Sequence, residues 1–217
     1  MSYTAQQIVD SARDEYNATS DSFFTDAIMY RHVTDACNIL AREAWLIEDS
    51  TTSNSVADTA EYSFPTDLIA IKRLTYDNRK IAPISFREYD AVTMAGLATT
   101  TTGTPTFYTQ FEDSITLTPI PAEVKVIKWF GYFKQASITS GATVPSIPAQ
   151  FHLPIKDYLL MIMCSKDKDF SASQVYEARW DKTIISAIKY SKRKRRADGF
   201  ATVQSEELLP TTILGAS

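Results

Sequence analysis

The chain has 217 residues, 44% of them apolar and 12% aromatic, which is enough for a sizeable core in one domain or two small ones. Its formal charge is −4, yet six cations crowd into the octet KYSKRKRR at residues 189 to 196, leaving the remainder at −10. This balance argues against a broad basic face for duplex DNA and confines any nucleic-acid contact to a local patch.

The N-terminal MSYTAQQIVD has neither the basic start nor the apolar stretch of a secretory signal. A chain made in the cytoplasm is therefore expected. Thr4 is placed to cap a first helix over residues 5 to 16, and the polar NATSDS breaks it. The match of Asn17-Ala18-Thr19 to a glycosylation sequon reads as chance without a secretory route. A second helix is expected to begin with Thr25 as its N-cap and Asp26 favoured behind it. Met29, Val33, Ala36, Leu40, Ala44 and Ile47 recur every three or four residues and define one apolar face. The Ser- and Thr-rich EDSTTSNSVADT then reads as a polar connector.

From Tyr62 to about Lys134 the pattern is that of strands. EYSFPTDLIAIKRLTY is the first, with Pro65 at a strand start or edge because it lacks a ladder donor. Asp77-Asn78 turns the chain into KIAPISF, and residues 87 to 95 suit a short helix. TFYTQF and ITLTPIP form a hairpin across Glu112-Asp113-Ser114. In VKVIKWFGYFKQ, Val126, Phe130 and Tyr132 face one way and Ile127, Trp129 and Phe133 the other, so both faces need cover and a central strand is expected.

SITSGATVPSIP returns the chain to helices. Ile155, Leu159, Ile162 and Met163 follow at helical spacing after Pro154. That stretch, FHLPIKDYLLMIMC, is interrupted by Lys156 and Asp157 and is too short to cross a bilayer, so no membrane partner is expected. After SKDKDFSAS a last helix carries Tyr176, Trp180, Ile184 and Ile188 at intervals of four, widened by Ile185, and runs into the basic octet before Gly199 stops it. The expected fold is α+β: a helical bundle of residues 1–54 and 145–198, an inserted and mainly antiparallel β domain of residues 55–144, and an extended C-terminal tail of residues 199–217.

No catalytic signature emerges. His32, read as lying in the polar arc of its helix, and His152, near a helix start, are two isolated histidines best explained structurally. Cys37 and Cys164 suggest neither a disulfide nor a metal site. Phosphate-cradling glycine motifs are missing from the sequence. Lys166-Asp167-Lys168-Asp169 reads as a self-neutralising loop rather than a cation site. No cofactor or metal is expected, and the protein is read as a non-enzyme. Tyr108, Phe111, Trp129, Phe130, Tyr132 and Phe133, interleaved with Lys125, Lys128 and Lys134, are candidate stacking platforms for single-stranded nucleic acid, but core and inter-subunit packing explains them better.

In order, YSFPTDLIAIKRLTYD, GTPTFYTQFEDSITLTPIP, VIKWFGYFK, VPSIPAQFHLPIKDYLLMIM and YEARWDK resemble the head-to-tail adaptor proteins of tailed bacteriophages, including the tail tubular protein A type of podoviruses. The resemblance covers roughly residues 4 to 200. It implies a non-enzymatic ring, commonly of twelve copies, docked under the portal protein at the virion's head–tail junction. Such a ring offers its far side to the tail nozzle or tail-tube protein and passes DNA through its lumen without sequence specificity.

On that basis Lys192, Arg193, Lys194, Arg195 and Arg196 are expected to bind the portal. The apolar end of the tail, Leu208, Leu209, Ile213 and Leu214, is expected to bind it as an extended segment with alternate side chains buried. Lys189, Lys192 and Arg193 are the candidate channel-lining residues. Helix-dipole stabilisation explains part of the octet, but six cations exceed that need. The rival reading is a nucleic-acid-binding module using residues 189–196 and the strand aromatics. A third is a hydrolase with carboxylates hidden in the strand region.

Overall fold

The computed structural model describes residues 2–17, 23–94 and 101–197. The fold is α+β, and the chain divides into two compact units, Met1–Leu46 with Gln135–Ser217 and Ile47–Lys134. The helices among the described residues are α1 (Ala5–Tyr16), α2 (Asp26–Ala44), α3 (Phe86–Met94), α4 (Ile155–Lys166) and α5 (Phe170–Ala197), with a 3₁₀ turn at Ala149–Phe151.

In the first unit, α1 starts with a reciprocal cap. The Gln7 N–H donates to Thr4 Oγ1 at 3.3 Å, and the Thr4 N–H donates to Gln7 Oε1 at 2.9 Å, satisfying two otherwise orphaned donors. Thr25 takes the N-cap position of α2 as expected but makes no side-chain cap bond, and Asp26 pairs instead with Arg13 at 2.6 Å. Met29, Val33, Ala36, Leu40 and Ala44 form the buried stripe of α2. Ile47 does not extend it: Trp45 adopts the left-handed conformation (φ 56°), which ends the i to i−4 ladder, and Ile47 enters the second unit.

Helix α4 packs against α1, α2 and α5 through the fully buried Leu159, Leu160 and Met163. The return segment after Lys134 is tied to α1 and α2 by polar bonds. Gln135 N–H donates to Asn38 Oδ1 (2.8 Å), Ile138 N–H to Thr34 Oγ1 (3.0 Å), and Ala5 N–H to the Thr143 carbonyl (2.8 Å).

The second unit holds a curled mixed sheet. Its strands are β1 (Glu48–Asn54), β2 (Glu61–Ser63), β3 (Leu68–Tyr76), β4 (Arg79–Pro83), β6 (Phe107–Phe111), β7 (Ser114–Thr118) and β9 (Val126–Phe133), in the order β1-β9-β3-β4-β6-β7-β2. β5 (Thr102–Gly103) and β8 (Ile120–Pro121) pair separately. All neighbours in the larger sheet are antiparallel except β4 and β6. The expected long first strand is two strands with Pro65 between them: β2 pairs with β7, and β3 with β9.

Residues 48–54, expected as connector, form edge strand β1. Their backbone completes the ladder of β9, and Trp129 Nε1–H donates to Ser53 Oγ at 2.8 Å, giving the indole its partner at full burial. β9 is central as expected: Ile127, Trp129 and Phe133 are buried on one face, and on the other Tyr132 is buried, Phe130 half-buried and Val126, at the strand's start, exposed. Asp77 and Asn78, both at positive φ, turn β3 into β4, and Glu112 at φ 47° turns β6 into β7.

Candidate interaction surface on the C-terminal helix

The 28-residue α5 begins where Asp169 Oδ1 accepts hydrogen bonds from Ala172 N–H (3.1 Å) and Ser171 Oγ (2.8 Å). These bonds, the Ala172 N–H foremost, hold the Asp169 carboxyl below the usual carboxylate range. The KDKD string is thus partly helix-start chemistry. Its Asp167 also accepts a hydrogen bond from the Tyr16 hydroxyl, and Lys166 Nζ lies over the Phe23 and Phe24 rings.

One stripe of α5 is buried: Trp180, Ala187 and Ser191 are each under 5% exposed. Trp180 meets Tyr158 at 5.2 Å between centroids, and Tyr190 meets Phe151 edge-on at 5.6 Å. Glu15 of α1 joins α4 and α5 by accepting from Lys156 Nζ (2.8 Å) and Tyr176 Oη (3.3 Å), with Arg179 at 3.7 Å. Ile184 and Ile188 are half-buried, and Ile185 is exposed, so Ile185 does not widen the buried stripe. One further residue of helical spacing carries it round to the solvent side.

The basic octet lies within this helix, which sorts its side chains by face. Ser191 is buried and Tyr190 half-buried, while Lys189, Lys192, Arg193 and Lys194 are exposed and Arg195 is intermediate. Lys189 and Arg193 stand one turn apart and, with Ser186, Tyr190, Gln150 and Phe151, line an open groove between α5 and the 3₁₀ turn. Among the described residues no carboxylate pairs with Lys189, Lys192 or Arg193. The groove has cationic walls over an aromatic floor, a setting that accepts carboxylate or phosphate oxygens. The octet marked its cations. Gln150 and Phe151, some forty residues earlier, were not legible as their neighbours. The side chain of Arg196, together with Gly199, Leu208, Leu209, Ile213 and Leu214, lies outside the described residues.

The other candidates resolve structurally. His152 is 2% exposed, with Nδ1 accepting from Tyr3 N–H (3.1 Å) and Nε2 within 2.8 Å of the Ile147 carbonyl. These contacts define the neutral tautomer protonated at Nε2. His32 is not in a polar arc: its ring is 14% exposed, and burial first, then Lys166, lowers its pKa below the ordinary histidine value. Cys37 and Cys164 are buried free thiols. Of the strand aromatics, Tyr108, Trp129, Tyr132 and Phe133 are core residues. Phe130 lies under Arg73 and Lys128, and the exposed Phe111 meets Phe86. They do not form a shared, open stacking platform. No helix among the described residues is long and apolar enough to cross a membrane.

The chain thus combines a helical unit with a curled mixed sheet and presents its most concentrated charge on the exposed side of α5. The sequence matches the family model of the SU10 adaptor protein over residues 3–204, and the chain belongs to that family. It is thereby a phage structural adaptor, which points to a non-enzymatic role. The match supports the head-to-tail adaptor class without singling out the tail tubular protein A type. A comparison with curated proteins finds no match to this chain.

Proposed function

We propose that this chain is one copy of a ring at the head–tail junction of a tailed phage, which docks on the portal, extends the DNA channel and presents the attachment surface for the tail. The observation that carries this reading is the adaptor-family match across nearly the whole chain, spanning both compact units. The helical unit is the ring body, closed by heterologous contacts in which one copy's surface meets a different surface of the next. The octet meets acidic portal residues, with the apolar end of the tail reaching along the same partner. Lys189, Lys192 and Arg193 lie nearest the DNA path, where repetition around the ring turns a local charge into a positive collar.

Electron microscopy of the particle, or of the chain mixed with portal rings, tests the location; density for the chain anywhere but between portal and tail overturns it. Changing Lys192, Arg193, Lys194, Arg195 and Arg196 together to Gln is expected to weaken portal binding by about tenfold or more. Unchanged portal binding and unchanged DNA retention remove the role of the octet. Tight DNA binding by the isolated chain, lost steeply as salt rises, would instead favour the nucleic-acid module.

A further inference from the structure

We propose that the outward face of α5 docks an antiparallel helix of a partner protein, acidic in its N-terminal half and apolar in its C-terminal half. The inference rests on the adaptor reading only for which virion protein supplies that helix. Val175, Ala178, Lys182, Ile185, Lys189 and Lys192 recur at alternating steps of three and four, the spacing of a two-helix seam. All six are exposed, Val175 and Ile185 each by just over half, on the side opposite buried Trp180, Ala187 and Ser191. The seam changes character along its length: apolar contacts concentrate toward its start and cations toward its end. Arg193 adds a further cation beside Lys189 at the groove.

The pattern selects its occupant. A second copy in parallel register sets Lys189 against Lys189 and Lys192 against Lys192. In antiparallel register it faces Lys182 with Ile185, Ala178 with Lys189 and Val175 with Lys192, so every cation is set against an apolar side chain and none meets a carboxylate. Duplex DNA would use the cationic end and leave Val175 and Ile185 idle. A helix with apolar residues facing the first half and carboxylates facing the second satisfies both. Direction follows from the dipoles: carboxylates are favoured at a helix N-terminus, and that positive end is attracted to the negative C-terminal end of α5. Antiparallel packing therefore brings the partner's acidic first turns to Lys189, Lys192 and Arg193.

The test uses the full chain and a labelled synthetic helix of about 25 residues. The probe carries Glu at the seam positions of its first half and Leu at those of its second; a second peptide has the halves exchanged. Fluorescence anisotropy is expected to show saturable binding of the acid-first peptide, weakened about tenfold by Ile185→Glu and by Lys189→Gln with Arg193→Gln, and about tenfold weaker binding of the exchanged peptide. These positions are exposed, and an unchanged circular dichroism melt shows that the variants fold. No saturable binding, equal binding of both peptides, or indifference to Ile185→Glu overturns the proposal. So does a concentration-dependent dimer abolished by Ile185→Glu, which would make a second copy the occupant. Portal binding is measured in parallel. If the acid-first peptide shows no saturable binding while portal rings bind, the seam fails and the adaptor reading stands; if the peptide binds as expected and portal rings do not, the seam stands while portal docking fails.

Discussion

Two glycines invite the same substitution and different outcomes. A Cβ on Gly131, in the middle of β9, would stand 2.2 Å from the Ala70 carbonyl oxygen and 2.6 Å from Leu68 Cδ1. The register of β3 against β9 shifts between Leu68 and Ala70 and again between Ile71 and Arg73, so this irregularity lays the β3 backbone over the glycine. Backbone cannot rotate out of the way, and β9 is held on its other side by β1. Overpacking of this kind costs about 3 kcal/mol. At Gly141 the Cβ meets the Tyr30 hydroxyl at 2.5 Å and Gln6 Oε1 at 2.7 Å, the ends of two side chains that hydrogen-bond each other. They can move apart at the expense of that bond, about 1 kcal/mol. Urea unfolding followed by tryptophan fluorescence reads the difference, because Trp129 reports on the sheet unit while Trp45 and Trp180 belong to the other. With a slope of about 1.5 kcal/mol/M, Gly131→Ala lowers the midpoint of the sheet transition by about 2 M. A shift no larger than that of Gly141→Ala would refute the close-approach argument.

Two pH dependences follow from the helical unit. The hydrogen bond from Lys156, its largest cause, holds Glu15 below the ordinary glutamate pKa. Its stabilising contribution is therefore complete above the unfolded value of about 4.3 and is lost as pH falls through the lower folded value. Thermal melts at descending pH should decline less steeply below pH 4.3 in Glu15→Gln than in wild type, and parallel curves would contradict the pairing. Burial likewise lowers the His32 pKa, so the unfolded chain takes up a proton first and stability falls as pH drops below about 6.5. His32→Gln should flatten that part of the profile; an unchanged slope between pH 6.5 and the acid limb would show that the buried imidazole is not responsible.

Features closed within a few residues were legible in the sequence: the Thr4 cap, the Asp77-Asn78 turn, the hairpin at Glu112, and the apolar stripe of α2. Those that depend on distant partners were not. β1 has no apolar alternation; it is fixed by its pairing with the distant β9 and by the bond from Trp129 to Ser53, 76 residues apart. The Nδ1 of buried His152 finds its donor in Tyr3 N–H, 149 residues away in the sequence. The same division runs through the candidate surface. Its cations were visible as a run, but the groove they share with Gln150 and Phe151 requires α5 to pack beside the 3₁₀ turn.

The helical state of the octet has its own physical consequence. Lys189 with Arg193 four residues apart, and Lys192 with Arg195 three apart, are like-charge pairs, each opposing helix formation by about 0.3 kcal/mol. The dipole at the C-terminus offsets part of this. The rest is met by the inward side of the same turns, where Ala187 and Ser191 are buried and Tyr190 packs against Phe151. Packing on one face thus holds repelling cations in fixed array on the other, which a solvated tail of the same composition would not do. A partner meeting that array need not order it, so the binding energy of its carboxylates or phosphates is not spent on fixing the basic side chains' backbone. Substituting Tyr190 or Phe151 should therefore weaken binding at Lys189 and Arg193 without touching a charge.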